Sequence, residues 1–397
     1  MMGGKIHMIK GFKAAAVSAG LKKDKAPDMA LIWSETEAHA AGVFTTSRVQ
    51  AAPVVLTRQN IADGRARVII ANSGNANACT GSQGLDDARR VAASVAEELG
   101  IRADDVLVAS TGVIGRYLDM DRVTHAVPDL VLSLSDQDIL PAARAIMTTD
   151  SFPKVSMFDG HAGRHAYRIQ GIAKGAGMIM PNMATMLAFL MSDIRIQPDL
   201  LRKVVREAVE GSFNRITVDG DTSTNDMVLM LANGMAGNRD LSKEDLESFT
   251  EGLRRVTGDL ARMIVRDGEG ATKVIDVRVH GAMSAAEALR AARTVANSSL
   301  VKTAFYGEDP NWGRIMAALG RAGIRMKEDC VDIWMDDVKI VHNGLGNGMK
   351  AEKKASGIMT GKEFSVTIDL KQGMYRDRVL TCDLTHEYVS INADYRT

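Results

Sequence analysis

Apolar positions along this chain switch between two periods. ARVIIANSG (66–74) and DVLVAST (105–111) are short, nearly continuous apolar runs that end in polar, glycine-bearing turns, which predicts buried strands. Between them, LDDARRVAASVAEELG (85–100) repeats its apolar residues at helical spacing and meets Gly100, a helix stop. The same spacing predicts helices over 198–213, 241–267 and 284–298, and strand patterns return over 273–281, 331–344, 364–370 and 378–384. The last two alternate, so each strand is expected to keep one face in water. The alternation of strands and helices predicts a layered α/β fold with sheets packed against helices, in which loops after strands carry chemistry.

One junction stands apart. In PNMATMLAFL (181–190), Pro181 interrupts the glycine-loosened apolar run KGAGMIM, and Thr185 then precedes the apolar stretch Met186–Met191, a predicted buried strand. No internal repeat or low-complexity linker divides the chain, so PNMAT is its strongest internal boundary.

Composition narrows the function classes. At 397 residues the chain calls for two domains or one large layered domain. Lys+Arg 49 against Asp+Glu 49 leaves neither a basic footprint for nucleic acid nor an acidic tail. Cys79, Cys330 and Cys382, odd in number and without paired spacing, predict free thiols in a reducing compartment, hence the cytoplasm. Charges inside the first apolar stretch argue against a signal peptide, and no run reaches the length of a membrane span. The 23 methionines are expected to fill gaps in the core.

Familiar chemical motifs fall away one by one. GLGNGMK (344–350) lacks the Gly-Lys-Ser/Thr of a phosphate loop and is expected to be a hairpin turn, so no cofactor is called for. His161 and His165 are separated by glycine and lack the glutamate of a zinc helix, which leaves a polar loop tip and no metal. DGDTSTND (219–226) misses the calcium-loop spacing and is expected to be a hydrogen-bonded loop near a site. Cys79 has no neighbouring histidine and is expected to be a small buried thiol at a loop end.

Thr185 offers another kind of nucleophile. If the preceding bond is cut, its new α-amine, with a reference pKa of about 8, becomes a base on the same residue as Oγ1. Ala184 is small enough to leave its carbonyl open to attack by Oγ1, and Gly175, Gly177 and Pro181 loosen or bend the approach.

NMATML with KGAGMI ahead of it resembles the self-cleavage site of the ornithine acetyltransferases of arginine biosynthesis, also glutamate N-acetyltransferases. GVFTTSRVQAAPV, ANSGNANACTG, STGVIG, MTTDSFPK, DGDTSTND, DGEGATK, GEDPNWGR and the terminal NADYRT resemble further blocks of that family, in family order over nearly the whole chain. The resemblance implies the layered fold that family shares with self-processing aminopeptidases. It also implies a cut between Ala184 and Thr185, giving an α fragment of 1–184 and a β fragment of 185–397 that associate as two α and two β. Thr185 would carry an acetyl ester between the donor N-acetylornithine and the acceptor glutamate, and whether acetyl-CoA also serves as donor stays open.

By the same resemblance Thr111 and Gly112 form the oxyanion hole, where one such donor is typically worth about 2.7–4 kcal/mol. Thr148, Lys174, Thr185, Glu269, Asn392 and Thr397 are implied substrate contacts, with Lys174 suited to an α-carboxylate and Glu269 to an ornithine ammonium. Ser151 departs from the threonine more usual in the family, which leaves open which of Thr148, Thr149 and Ser151 makes the contact. Asn392 follows the alternating run EYVSI and is expected on a strand edge. Two rival readings remain: a self-processing amidohydrolase or aminopeptidase on the same scaffold, marked by acetate release without glutamate, and a binding protein that is never cut.

Overall fold

The computed structural model describes residues 5–180 and 186–394, which form two compact units. One unit takes the chain through Met178, residues 186–214 and Asp221–Ile264; the other takes Ile179 and Met180, Arg215–Gly220 and the chain from Val265 onward.

The first unit contains strands β1 (Phe12–Val17), β2 (Met29–Phe44), β3 (Arg65–Asn72), β4 (Val106–Ser110), β5 (Lys154–Ala162), β6 (His165–Lys174), β7 (Leu187–Ser192) and β8 (Met227–Ala232). Its helices are α1 (Ala52–Asn60), α2 (Gly81–Leu99), α3 (Met120–Leu132), α4 (Leu140–Ala145), α5 (Pro198–Gly211) and α6 (Lys243–Arg266). The strands run in the order β4-β3-β2-β8-β7-β6-β5, with β1 also on β2. Strand β2 is the hinge of the arrangement. Its first part pairs with β3, its last part pairs with β8, and the register breaks between Trp33 and Ala38, where the exposed residues Glu35, Thr36 and Glu37 interrupt the apolar pattern.

Side chains from both halves of this folded sheet share one core: Ile69, Ala71, Leu107 and Ala109 join Phe189, Met191, Leu229 and Leu231. The opposite faces are covered by helices. Val68, Ile70, Val106 and Val108 pack with Val91 and Val95 of α2 and Val123 and Val127 of α3. On the other side, Gly171 of β6 is flanked by Leu190 of β7 and by Val256 and Leu260 of α6. The outcome is the expected α/β architecture with two sheet layers between helices. Being covered on both faces explains why β7 reads LAFLMS with no polar alternation.

The second unit carries β9 (Val274–Ala282), β10 (Asp332–Met335), β11 (Val338–His342), β12 (Leu345–Gly346), β13 (Glu363–Asp369) and β14 (Tyr375–Cys382) in the order β12-β11-β10-β13-β9-β14. Its helices are α7 (Ala285–Ala296), α8 (Ser299–Tyr306), α9 (Trp312–Gly320), α10 (Met349–Met359) and α11 (His386–Ala393). Ala288, Ala291, Ala292 and Val295 make the apolar stripe of α7 that lies on Val277, Val279 and Val366 of the sheet. Ser284 caps α7 by accepting the N–H of Glu287.

Three expectations need correction. EYVSI lies in helix α11, so Asn392 is not on a strand edge; no residue of α11 is buried, and the helix therefore lacks the apolar stripe that marks one in sequence. Cys79 is an exposed thiol, held in the left-handed region at φ 57° in the loop before α2. The turn expected in GLGNG falls earlier, at Asn343 and Gly344 between β11 and β12, and Gly348 then leads into α10.

Candidate active site

Strands β3 and β4 run parallel and end together, Asn72 opposite Ser110. Their following loops are tied side by side: Thr111 N–H donates to the Asn72 carbonyl at 2.9 Å, and Ser110 Oγ donates to Asn72 Oδ1 at 2.5 Å. Asn225 bridges both loops through Nδ2, which donates to the carbonyls of Ala76 at 2.6 Å and Ser110 at 2.8 Å. Gly112 takes φ 132°, and a Cβ there would stand 2.4 Å from the carbonyl carbon of Gly74 and 2.6 Å from Asn75 N. Only glycine fits this approach of two backbones.

Lys174, at the end of β6 and almost wholly buried, donates from Nζ to Thr111 Oγ1 at 3.2 Å. An oxygen that accepts from an ammonium keeps its own hydrogen to donate elsewhere, so the Thr111 hydroxyl is a polarised donor beside the Gly112 backbone. Such a pair of donors can stabilise a developing oxyanion.

Asp150 ties this corner together. Its Oδ1 accepts from Lys154 Nζ at 2.6 Å and from Gly175 N–H at 2.7 Å, while Oδ2 accepts the N–H of Thr148 at 3.0 Å. One buried carboxylate thus holds the backbone of Thr148 and the residue after Lys174. Burial pushes its pKa up, but Lys174, Lys154 and the Gly175 N–H outweigh that and bring it down to about 2. Asp226, just ahead of β8, is fully buried and accepts the Met186 N–H at Oδ1, 2.8 Å away. Here burial wins over Met186 N–H, Lys174 and Ser223, and the carboxyl is pushed well above its usual range.

In the second unit Glu269 is buried and Asn392 Nδ2 donates to its Oε2 at 2.7 Å and to the Tyr388 carbonyl at 3.0 Å. Gly270, at φ 68°, lets α11 approach; a Cβ there would lie 2.6 Å from Tyr388 N. The structure therefore brings Thr111, Gly112, Lys174 and Thr148 into one cluster of the first unit and pairs Glu269 with Asn392 in the second. Ala184, Thr185 and Thr397 lie outside the described residues. Asp150, Lys154, Asn72, Asn225 and Asp226 enter only with the structure, although Asp150 sits inside MTTDSFPK and Asn225 and Asp226 inside DGDTSTND. His161 and His165 lie on β5 and β6 of one hairpin, and no cluster of metal-ligating groups occurs among the described residues.

Fold and donors together are those of an α/β acyl-transfer enzyme. The chain matches the ArgJ family model over residues 13–397 and belongs to that family. It is 51% identical over 391 residues to the arginine biosynthesis bifunctional protein ArgJ of Geobacter sulfurreducens, covering 98% of this chain and 100% of that one. The protein of the same name from Syntrophotalea carbinolica is 51% identical over 392 residues, covering 98% and 99%. Among solved structures, the arginine biosynthesis bifunctional protein argJ of Bacillus halodurans aligns with 39% identity and a TM-score of 0.50, covering 52% of this chain and 97% of that chain.

Proposed function

We propose that this chain is an acetyltransferase of arginine biosynthesis that moves the acetyl group of N2-acetylornithine to glutamate by way of an acetyl ester on Thr185. The observation that carries the reading is the buried Lys174–Thr111 hydrogen bond of 3.2 Å beside Gly112. It is supported by relatives named arginine biosynthesis bifunctional protein at 51% identity.

The enzyme first makes its own nucleophile. Thr185 Oγ1 attacks the Ala184 carbonyl, the C–N bond breaks as the hydroxyl proton passes to nitrogen, and an ester joins the two residues. Water then hydrolyses the ester, releasing the Ala184 carboxylate and a free Thr185 amine.

In the transfer reaction the Thr185 amine takes the Oγ1 proton as oxygen attacks the acetyl carbonyl. Thr111 and Gly112 stabilise the oxyanion, and ornithine departs with the proton. The glutamate amine then attacks the ester and regenerates Thr185. Lys174 receives the α-carboxylate, Glu269 the ornithine ammonium, Thr148, Asn392 and Thr397 complete the contacts, and the cut fragments assemble as two α and two β.

Intact-mass measurement with and without N-acetylornithine tests both halves. The expected result is two fragments, the second beginning Thr185-Met186-Leu187 and gaining one acetyl group, while Thr185→Ala stays as one inactive chain. Cleavage in Thr185→Ala, or acetate release without glutamate as the main reaction, would overturn the reading. Acetyl-CoA in place of N-acetylornithine decides in the same assay whether it is a second donor.

A further inference from the structure

Thr111 and Gly112 are bracketed by a ring of hydrogen bonds that a single side chain closes. Asn225, 115 positions beyond Ser110, is buried and aims both Nδ2 hydrogens at backbone carbonyls, Ala76 at 2.6 Å and Ser110 at 2.8 Å. From Ser110 the chain runs through Thr111 and Gly112 to Val113, whose carbonyl accepts the Ala76 N–H at 3.0 Å, and the Ala76 carbonyl leads back to Asn225. The Ser110–Thr111 peptide is therefore held at both edges, its carbonyl by Asn225 and its N–H by the Asn72 carbonyl at 2.9 Å. Asn225 is anchored in its turn. Its Oδ1 accepts from Thr224 Oγ1 at 2.6 Å, which sets the orientation of the amide. The Ser223 and Thr224 carbonyls accept from Thr45 Oγ1 at 2.8 Å and Ala51 N–H at 2.9 Å. All of these residues belong to the first unit.

We propose that Asn225 is the positioning residue of the oxyanion hole, acting on the reaction only through Thr111 and Gly112. The inference rests on the reading that these two residues stabilise the oxyanion of acetyl transfer. A donor serves an oxyanion only if it already points to where the charge develops. The Thr111 hydroxyl and the Gly112 N–H are carried by the same Thr111 backbone, and the Ser110–Thr111 peptide plane sets where that backbone starts. A shift of this plane moves both donors at once. The bond from Lys174 holds the Thr111 side chain and leaves the backbone free, so it does not replace Asn225. Without the amide, the buried carbonyls of Ala76 and Ser110 lose the donor they share, and the two loops lose the bridge between them.

Steady-state kinetics with N-acetylornithine and glutamate test the role, with rates normalised to the fraction of enzyme that intact mass shows to be cut. Asn225→Ala should lower kcat about ten- to a hundredfold. The Michaelis constant for N-acetylornithine should stay within about twofold, because the lost interaction serves the transition state. A double-mutant cycle separates positioning from general stability. In a Thr111→Ala background the same Asn225→Ala change should cost clearly less than in the parent, since one of the two donors it positions is already gone. Equal costs in the two backgrounds, or a kcat at the parent value in folded Asn225→Ala while Thr111→Ala is slow, would overturn the role of Asn225 and leave the oxyanion hole standing. If Asn225→Ala fails to fold, Asn225→Ser, which keeps one donor, decides: the role stands if kcat falls by a smaller factor at unchanged Michaelis constant, and falls if kcat equals that of the parent. A Thr111→Ala enzyme as fast as the parent would remove the oxyanion assignment and the role of Asn225 with it.

Discussion

Asp150 and Asp226 show how far two buried aspartates can diverge. Asp150 faces two ammonium groups and two backbone N–H groups and is brought down to about 2; at Asp226 burial outweighs the Met186 N–H, Lys174 and Ser223 and pushes the carboxyl well above its usual range. A folded pKa below the unfolded value of about 3.9 means that Asp150 adds stability above that pH and that this contribution is lost as pH falls toward 2, about 2 kcal/mol in all. Asp150→Asn removes the carboxylate that Lys154 bonds at 2.6 Å and should cost about 3–5 kcal/mol at neutral pH. It should also flatten the loss of stability between pH 4 and 2, as urea unfolding across that range would measure; equal slopes in both proteins would refute the assignment. Nothing local marks Asp150 in sequence, since Gly175, one of the groups it binds, lies 25 positions away. Thr111 and Gly112 stand out in sequence only through the family resemblance, since a strand ending in a glycine turn reads by itself as a plain turn.

Among elements, α11 departs furthest from its sequence pattern. Its helix is specified by contacts at its start, where Thr385 Oγ1 donates to the Gly270 carbonyl at 2.8 Å, and by the bond from Asn392 to Glu269. The helix thereby becomes a support for a carboxylate rather than a wall of the core. Removing residues 392–397 takes the amide away from Glu269 and should raise the Michaelis constant for N-acetylornithine at least about tenfold, since a hydrogen bond to a charged group is worth about 1.5–3 kcal/mol. Self-cleavage should survive, as gel analysis of the truncated chain would record. Unchanged kinetics for both substrates would place the helix end outside the site. Strand β7 is the contrasting case: five consecutive apolar residues, Leu187–Met191, buried on both faces, were readable at once.

At the scale of the whole molecule, the proposed acetyl-Thr185 intermediate requires that ornithine leave before glutamate reacts. Double-reciprocal plots for N-acetylornithine against glutamate should therefore be parallel, whereas intersecting lines with no acetyl mass on the second fragment would point to direct transfer. Among the described residues no helix is long and apolar enough to cross a membrane. The sequence by itself determined the alternation of strands and helices, most of their boundaries, and the family, because apolar periodicity and contiguous motifs are local properties of the chain. Only the tertiary structure decided that β2 would bend and turn one hydrogen-bonded sheet into two facing layers, and that Asp150 would hold Thr148 and Gly175 at once. It alone decided that Asp219 and Asp226 would reach back to Ile179 and Met186, each 40 positions away. The physical reason is common to all three: a buried N–H or ammonium must find an acceptor, and which carboxylate supplies it depends on where packing brings distant segments together.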